Sequence, residues 1–549
     1  MATTDKYDRQ LRLWGSKGQR ALSESTVVLI RATAAGTETL KNLVLPGVGR
    51  IIILDDAWVT PQNSSDIHTS NFFLDPKQKD PVTRAQVTLN LLQELNPDVG
   101  GSYHHVTDLR TVNYVEFFSS CFGAKNNNFS ELIKDSSSLL VIASDLEPPL
   151  LDQIIKDCPS PLIQIHSYGL LGIVRLHVPY PLCIFDPKPA SNTPDLRLVT
   201  PFPALKEFCS SITLDSLTDH EHSHIPYPLI LLKLQQQWKD SHQNILPSNS
   251  VEKQEFRSSI QQASRKWDMQ LNFQEAHQNS YLAYTEKSLD KNHVMQLIEK
   301  LELHEISNTH YYFPRLRHSI SLLKALLKFM DQNNGRAPLG GTLPDMTAST
   351  QLYVQLQQIY HYQAQKDISE LKSYLLIEDV SDEEVSSFCA NVFQLDVVLF
   401  RSYEPNEDEK IPKDPMFDDS LELYDDAPEH TPLFWYNGWK ACGQFYRIFG
   451  RYPGVLDNDE WESDIPALHD LLPPMDGSHD KSGGVTMTHR QAMATELTRY
   501  ANAELHVIAS VVGGVASQEA VKLITGQYKP MNNTYVYNGI VSVGAVYEI

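Results

Sequence analysis

Six residues, Arg31-Ala32-Thr33-Ala34-Ala35-Gly36, stand where phosphate chemistry would be sought. They follow Thr26 to Ile30, a short apolar run of the buried-strand type, and lead into a helical pattern from about Gly36 to Leu45. In a nucleotide-binding strand–turn–helix unit, glycines at this turn let a phosphate approach the free N–H groups of the helix N-terminus. Here Arg31, Thr33 and Ala34 fill positions where glycines would recur, and only Gly36 remains. Each Cβ narrows the cradle, and Arg31 is bulky. Gly36 retains one role of such a turn, close helix–sheet packing. Asp55 follows the next strand run, Ile51 to Leu54, at the place of a ribose-binding acid. The scaffold of a nucleotide site is therefore present without its phosphate cradle. No cofactor is expected in this chain, and Asp55 reads as a relic acid.

Two other groupings could do chemistry. Asp219-His220-Glu221-His222-Ser223-His224 has the composition of a metal site. Alternating histidines on a helix point around it rather than converge, so a polar helix entry before Pro226 is the plainer reading and no metal is expected. The six cysteines, Cys121, Cys158, Cys183, Cys209, Cys389 and Cys442, form no Cys-x-x-Cys pair. A cysteine nucleophile needs a lowered pKa. Cys389 follows Glu383 and Glu384, whose charges act the other way, and none of the six is expected to be catalytic. Six scattered thiols fit a reducing compartment, the cytoplasm or the nucleus.

The elements that must position these residues can be read coarsely. The chain has 549 residues, enough for about three or four domain-sized units. Its 46 basic and 68 acidic residues give a net charge of −22, which argues against nucleic acid and anionic membranes as partners. No run of about 18 apolar residues predicts a membrane span. Helix Val82 to Leu95 and strands Leu139 to Ala143 and Leu162 to His166 continue the β–α alternation. This predicts an α/β class, a parallel sheet with helices on both faces. From about 215 to 375 the pattern is mainly helical. Residues 404–430 carry eleven acids, two lysines and four prolines and read as a mobile acidic loop. Residues 473–486 read as a second joint. A helix His506 to Thr525 follows, with Gly513-Gly514 inside it suggesting close packing. Strands from Asn533 to Tyr537 and Ile540 to Tyr547, joined by Asn538-Gly539, close the chain as a hairpin.

Several segments together resemble a known family. They are Lys6-Tyr7-Asp8-Arg9-Gln10-Leu11-Arg12-Leu13-Trp14-Gly15, Leu43 to Gly49 and Ser70 to Leu74 near the start. Further along come Ser223 to Tyr227, Gly341 to Met346, Gly450 to Val455, Gly513 to Glu519 and Asn532 to Tyr535. They look like the ubiquitin-activating enzyme family, with its ThiF/MoeB-type, Rossmann-like adenylation fold. Within it they resemble the regulatory halves of the heterodimers that activate the neddylation modifier. The match spans nearly the whole chain outside the acidic loop.

The resemblance implies an inactive adenylation-like domain over 1–168 and 487–549. Residues 169–486 would be a helical insertion like a catalytic-cysteine domain without its cysteine. Active members hold ATP with a Gly-x-Gly-Gly-x-Gly turn, an Asn-x-x-Arg-Gln segment and a Gly-Lys pair. Here Asn71 is followed by Phe72-Phe73-Leu74, and Pro81-Val82 stands at the Gly-Lys place. ATP and Mg²⁺ would then belong to the catalytic partner subunit, which adenylates the ubiquitin-like modifier and forms a thioester for the conjugating enzyme. Arg9 would reach across the dimer into the partner's ATP site, with Arg12 a weaker candidate. Two other readings stay open on the residues alone: a dinucleotide-binding Rossmann protein using Asp55, and a non-catalytic adaptor on the same fold.

Overall fold

A computed structural model gives the fold and describes residues 6–59, 71–74, 81–121, 139–184, 195–307, 314–401, 430–456, 460–472 and 485–549. Apart from His430 the acidic loop lies outside these residues, as does the second joint up to residue 484. The chain divides into two compact units. One comprises Met1–Ile184, Asn308–Pro314 and Val398–Ile549, the other Phe185–Ser307 and Arg315–Val397.

The first unit holds an eight-stranded sheet. Its strands are β1 (Thr26–Ile30), β2 (Arg50–Asp55), β3 (Gly100–His105), β4 (Leu139–Ser144), β5 (Leu162–Tyr168), β6 (Leu171–His177), β7 (Thr534–Asn538) and β8 (Val543–Tyr547). Their order is β8-β7-β6-β5-β4-β1-β2-β3. The five strands from β5 to β3 run parallel, and β6, β7 and β8 are each antiparallel to their neighbours. The central strands are mostly apolar and, apart from Thr26, buried, because helices cover both faces of a parallel sheet. The parallel order reverses between β1 and β4, which opens a crevice beyond their C-terminal ends.

Seven helices of this unit matter for the site. They are α1 (Asp8–Ser23), α2 (Ala34–Val44), α3 (Arg84–Leu95), α4 (Pro148–Asp157), α5 (Pro432–Phe449), α6 (Val485–Tyr500) and α7 (His506–Thr525). α7 packs along α2. A Cβ on Gly513 would lie 2.8 Å from the Glu38 Cβ, so this glycine is required for the approach, whereas Gly514 faces open space. α7 is long and apolar enough to cross a membrane. Here Ile508, Val512, Ala516 and Ala520 are buried in the fold instead.

The unit borders fall at 184 and 398, not at 168 and 487. The physical reason is β6, which extends the sheet antiparallel to β5 and pairs with β7. α5 and α6 then bury Phe434, Phe445, Met493 and Leu497 against Tyr168 and Leu171. The arginine inside β6 is buried too. Arg175 donates to the Tyr436 hydroxyl at 3.1 Å and to the Ile549 carbonyl at 2.9 Å. The β7–β8 hairpin closes through Gly539–Ser542, a longer turn than Asn538-Gly539 alone, with Asn538 paired to Val543. The Gly539 N–H is drawn onto the Leu170 carbonyl at 2.8 Å.

The second unit is helical. Helices Tyr227–Ser241, Ser250–Ala263, Leu271–Gln278 and Thr350–Lys372 bury Leu229, Ile230, Phe256, Phe273 and Tyr360 in one core.

Candidate functional site

The crevice at the ends of β1 and β4 contains the turn read as a degenerate phosphate cradle. Arg31 leaves β1 with φ 67°, the left-handed region that glycine would adopt freely. For an L-residue this costs about 1–2 kcal/mol. Its contacts offset that cost: the Arg31 N–H donates to the Leu54 carbonyl at 2.9 Å. Its guanidinium donates to the Asp145 carbonyl at 2.8 Å and to Glu147 at 2.9 Å. Thr33 caps α2, and its hydroxyl meets Ser144 at 2.6 Å and the Asp145 carboxylate at 2.8 Å. Gly36 does what the sequence predicts, since a Cβ there would lie 2.8 Å from Leu29 and 3.0 Å from Ser144.

The first free N–H groups of α2 are engaged from within the chain. Glu504 accepts from the Ala34 N–H at 2.9 Å with one oxygen and from the Ala35 N–H at 2.6 Å with the other. A carboxylate thus occupies the position where a helix N-terminus would receive a phosphate. Burial of that carboxyl and the nearby Asp145 charge push its pKa up, against the pull of the two N–H groups. Asp145 accepts the Ser167 N–H at 2.7 Å, and His166 lies 3.4 Å from it. Burial holds the His166 imidazole below its ordinary pKa.

Asp55 is fully buried and has four donors. Arg84, at the start of α3, donates through Nε at 2.8 Å and Nη2 at 3.0 Å, and the Ala32 and Ala57 N–H groups add bonds of 2.7 and 2.8 Å. Burial works against ionisation, but Arg84 and the backbone donors outweigh it and hold the Asp55 carboxyl below the usual range. A ribose hydroxyl would find this acid already engaged. Asn71 is equally occupied. Its amide donates to the Ala32 carbonyl at 3.1 Å and its oxygen accepts the Phe73 N–H at 2.9 Å. Leu74, where active members carry an arginine, is buried. These residues do not fit a nucleoside triphosphate: the Glu504 carboxyl already takes the cradle's N–H groups, and Asp145 and Glu147 bring negative charge beside it.

Arg9 lies elsewhere, on α1. The segment is not a free arm. Tyr7 accepts from Asn96 at 3.1 Å, Gln19 donates to the Pro46 carbonyl at 2.8 Å, and Gln527 donates to the Trp14 carbonyl at 3.1 Å. Gly15, at φ 68°, breaks the helix between these anchors. Asp8 pairs with Arg12 at 2.9 Å, so it does not restrain Arg9. Arg9 is exposed and has no ion-pair partner among the described residues.

His220 stacks on His224 at 4.4 Å, while His222 turns inward to meet Gln270 at 3.0 Å. No cluster of three metal-ligating side chains occurs among the described residues. Five cysteines are buried and Cys183 is half-buried. Burial pushes the Cys158, Cys389 and Cys442 thiols up to about 12 and Cys121 to about 11.

Sequence reasoning placed the turn and Asp55 but missed Glu504, Arg84, Asp145 and Glu147. Asp145 and Glu147 had a positional signal, since they follow a buried strand next to the crevice. Glu504 lies 470 residues from Ala34, and no local pattern connects them.

The model of the ThiF family matches residues 7–139. The NEDD8-activating enzyme E1 regulatory subunit of Xenopus laevis is 34% identical over 99% of this chain and 98% of its own length. That of Danio rerio is 31% identical over 99% and 98%. The NEDD8-activating enzyme E1 regulatory subunit AXR1 of Arabidopsis thaliana is 32% identical over 97% of this chain and 94% of its own length.

Proposed function

The chain belongs to the family of NEDD8-activating enzyme E1 regulatory subunits, and on that premise we propose how it divides the chemistry with its catalytic partner. It is the regulatory half of a heterodimer whose substrate is the ubiquitin-like modifier NEDD8. The ThiF membership implies adenylation with ATP and Mg²⁺ in the partner. There the modifier's C-terminal carboxylate attacks the ATP α-phosphorus and releases pyrophosphate. A partner cysteine then displaces AMP to form the thioester that passes to a conjugating enzyme. This chain holds no nucleotide and completes the partner's site.

The observation that carries this division is the Glu504 carboxylate on the Ala34 and Ala35 N–H groups. A chain that meets its own helix N-terminus with a carboxylate has no cradle left for phosphate. Arg9 supplies the positive contribution: a permanently charged, exposed guanidinium on an anchored helix suits phosphate oxygens of a second chain. The dinucleotide reading through Asp55 is disfavoured by the four donors that Asp55 already has.

Calorimetry of the heterodimer with ATP and Mg²⁺ tests the division. One tight site per heterodimer is expected. A second micromolar site, removed by substitutions in the Arg31–Gly36 turn, would overturn it.

A further inference from the structure

Two segments quoted for the resemblance, Ser223 to Tyr227 and Gly341 to Met346, play no part in the division of labour above. Tyr227 from one and Pro344 and Asp345 from the other meet in the helical unit around a cavity of about 290 Å³, completed by Leu196, Leu282, Glu275 and Asn279, whose amide donates to the Glu275 backbone carbonyl at 3.0 Å. The wall is built firmly. Glu275 accepts the Thr347 hydroxyl at 2.7 Å and the Thr347 N–H at 3.0 Å, which fixes the Pro344–Asp345 lip to helix Leu271–Gln278.

Two groups on this wall lack partners. Tyr227 is 4% exposed, lines the cavity, and its hydroxyl makes no hydrogen bond among the described residues. The ring is buried while the hydroxyl is open to the cavity, where an incoming donor can reach it. Asp345 is exposed at the cavity and has no ion-pair partner among the described residues. Glu275 keeps acceptor capacity beyond its bonds to Thr347. Burial and the neighbouring Tyr281 and Glu275 oxygens keep the Tyr227 phenol protonated, so it accepts from a cation as a neutral oxygen. Leu196, Leu282 and Pro344 supply an apolar sleeve for an aliphatic stem. Acceptors beside an apolar sleeve match a long side chain with a cationic end.

We infer that this cavity receives the cationic end of a lysine or arginine side chain presented by a polypeptide partner. The Asp345 carboxylate is the ion-pair partner, Glu275 a second acceptor, and Tyr227 the cavity-facing hydroxyl that accepts from the cation.

The test uses the full chain, carrying 3-fluorotyrosine, in complex with its catalytic subunit. The probes are N-acetyl-arginine amide and N-acetyl-lysine amide. Their neutral counterparts, N-acetyl-citrulline amide and the ε-acetylated lysine amide, serve as controls. Tyr227→Phe identifies the Tyr227 fluorine resonance. The expected result is a saturable shift of that resonance with a cationic probe in the millimolar range, the scale of one ionic contact. Binding should weaken by about tenfold or more for the neutral counterpart and for Asp345→Asn. Asp345 is exposed, so this substitution leaves the fold intact. No shift, an equal shift with charged and neutral probes, or a shift indifferent to Asp345→Asn overturns the inference.

Discussion

The crevice between β1 and β4 and the exposed face of α1 treat charge in opposite ways. In the crevice, Arg31 is matched by Glu147, Arg84 by Asp55, and the α2 N-terminus by Glu504. On α1, Arg9 is exposed and has no ion-pair partner among the described residues, although its helix is anchored on both sides of Gly15. A charge matched inside its own chain stabilises the fold and is lost to chemistry. A charge left open on an anchored element can act on another molecule. The crevice spends its charges within its own chain, whereas Arg9 is the group proposed above to act on the partner's phosphates.

The largest test of the contrast removes a partner inside the crevice. Arg84→Met leaves the Asp55 carboxylate buried without its counter-charge. The expected loss is about 3–5 kcal/mol of stability, read as a shifted denaturation midpoint of the heterodimer. A neutral outcome would mean that the crevice is not closed by this pair.

Arg9→Ala should do the reverse, sparing stability and impairing catalysis. A donor aimed at developing charge is worth roughly a hundredfold to a thousandfold in rate. ATP-dependent pyrophosphate exchange by the reconstituted heterodimer should fall toward that range. Arg9→Lys should recover only part, because one ammonium cannot make the forked contact. Wild-type exchange by the alanine variant would make Arg9 an ordinary surface residue and erase the contrast.

Glu504→Ala is smaller. It leaves the Ala34 and Ala35 N–H groups without their acceptor, at about 1–3 kcal/mol. Added phosphate should recover some of the lost stability if the uncovered helix end binds anions.

The smallest effect is a pH slope. The folded Glu504 carboxyl holds its proton to higher pH than an unfolded glutamate does. Its contribution is therefore fully present below the ordinary glutamate range and is lost as pH rises through the elevated folded value. Thermal unfolding followed upward from that range should show a decline that Glu504→Gln flattens. An unchanged slope would mean that the N–H pair alone governs the carboxylate.

Much of the architecture was legible because local patterning decides it. Thr26 to Ile30 and His506 to Thr525 are elements in the structure with the bounds their patterns predict. A continuous apolar run specifies a buried strand or helix whatever it packs against. β6 was harder, because Arg175 and His177 interrupt its apolar run and are accommodated by groups from other elements, Tyr436, Ile549 and Gln164 among them. Gly513 and Gly514 look alike in sequence, yet only Gly513 faces α2.

For the site, the sequence by itself determined what is missing. Arg31, Thr33 and Ala34 place side chains where a phosphate cradle needs none, and Leu74 offers no charge. Steric and ionic exclusions of this kind depend on residue type alone. What fills the vacated place was decided only by tertiary structure. Glu504, brought to α2 from just ahead of α7, and Arg84, brought to Asp55 by the start of α3, are ordinary charged residues in their local sequence. A buried hydrogen bond is specified by two groups meeting in space, and neither group's sequence neighbours record the other.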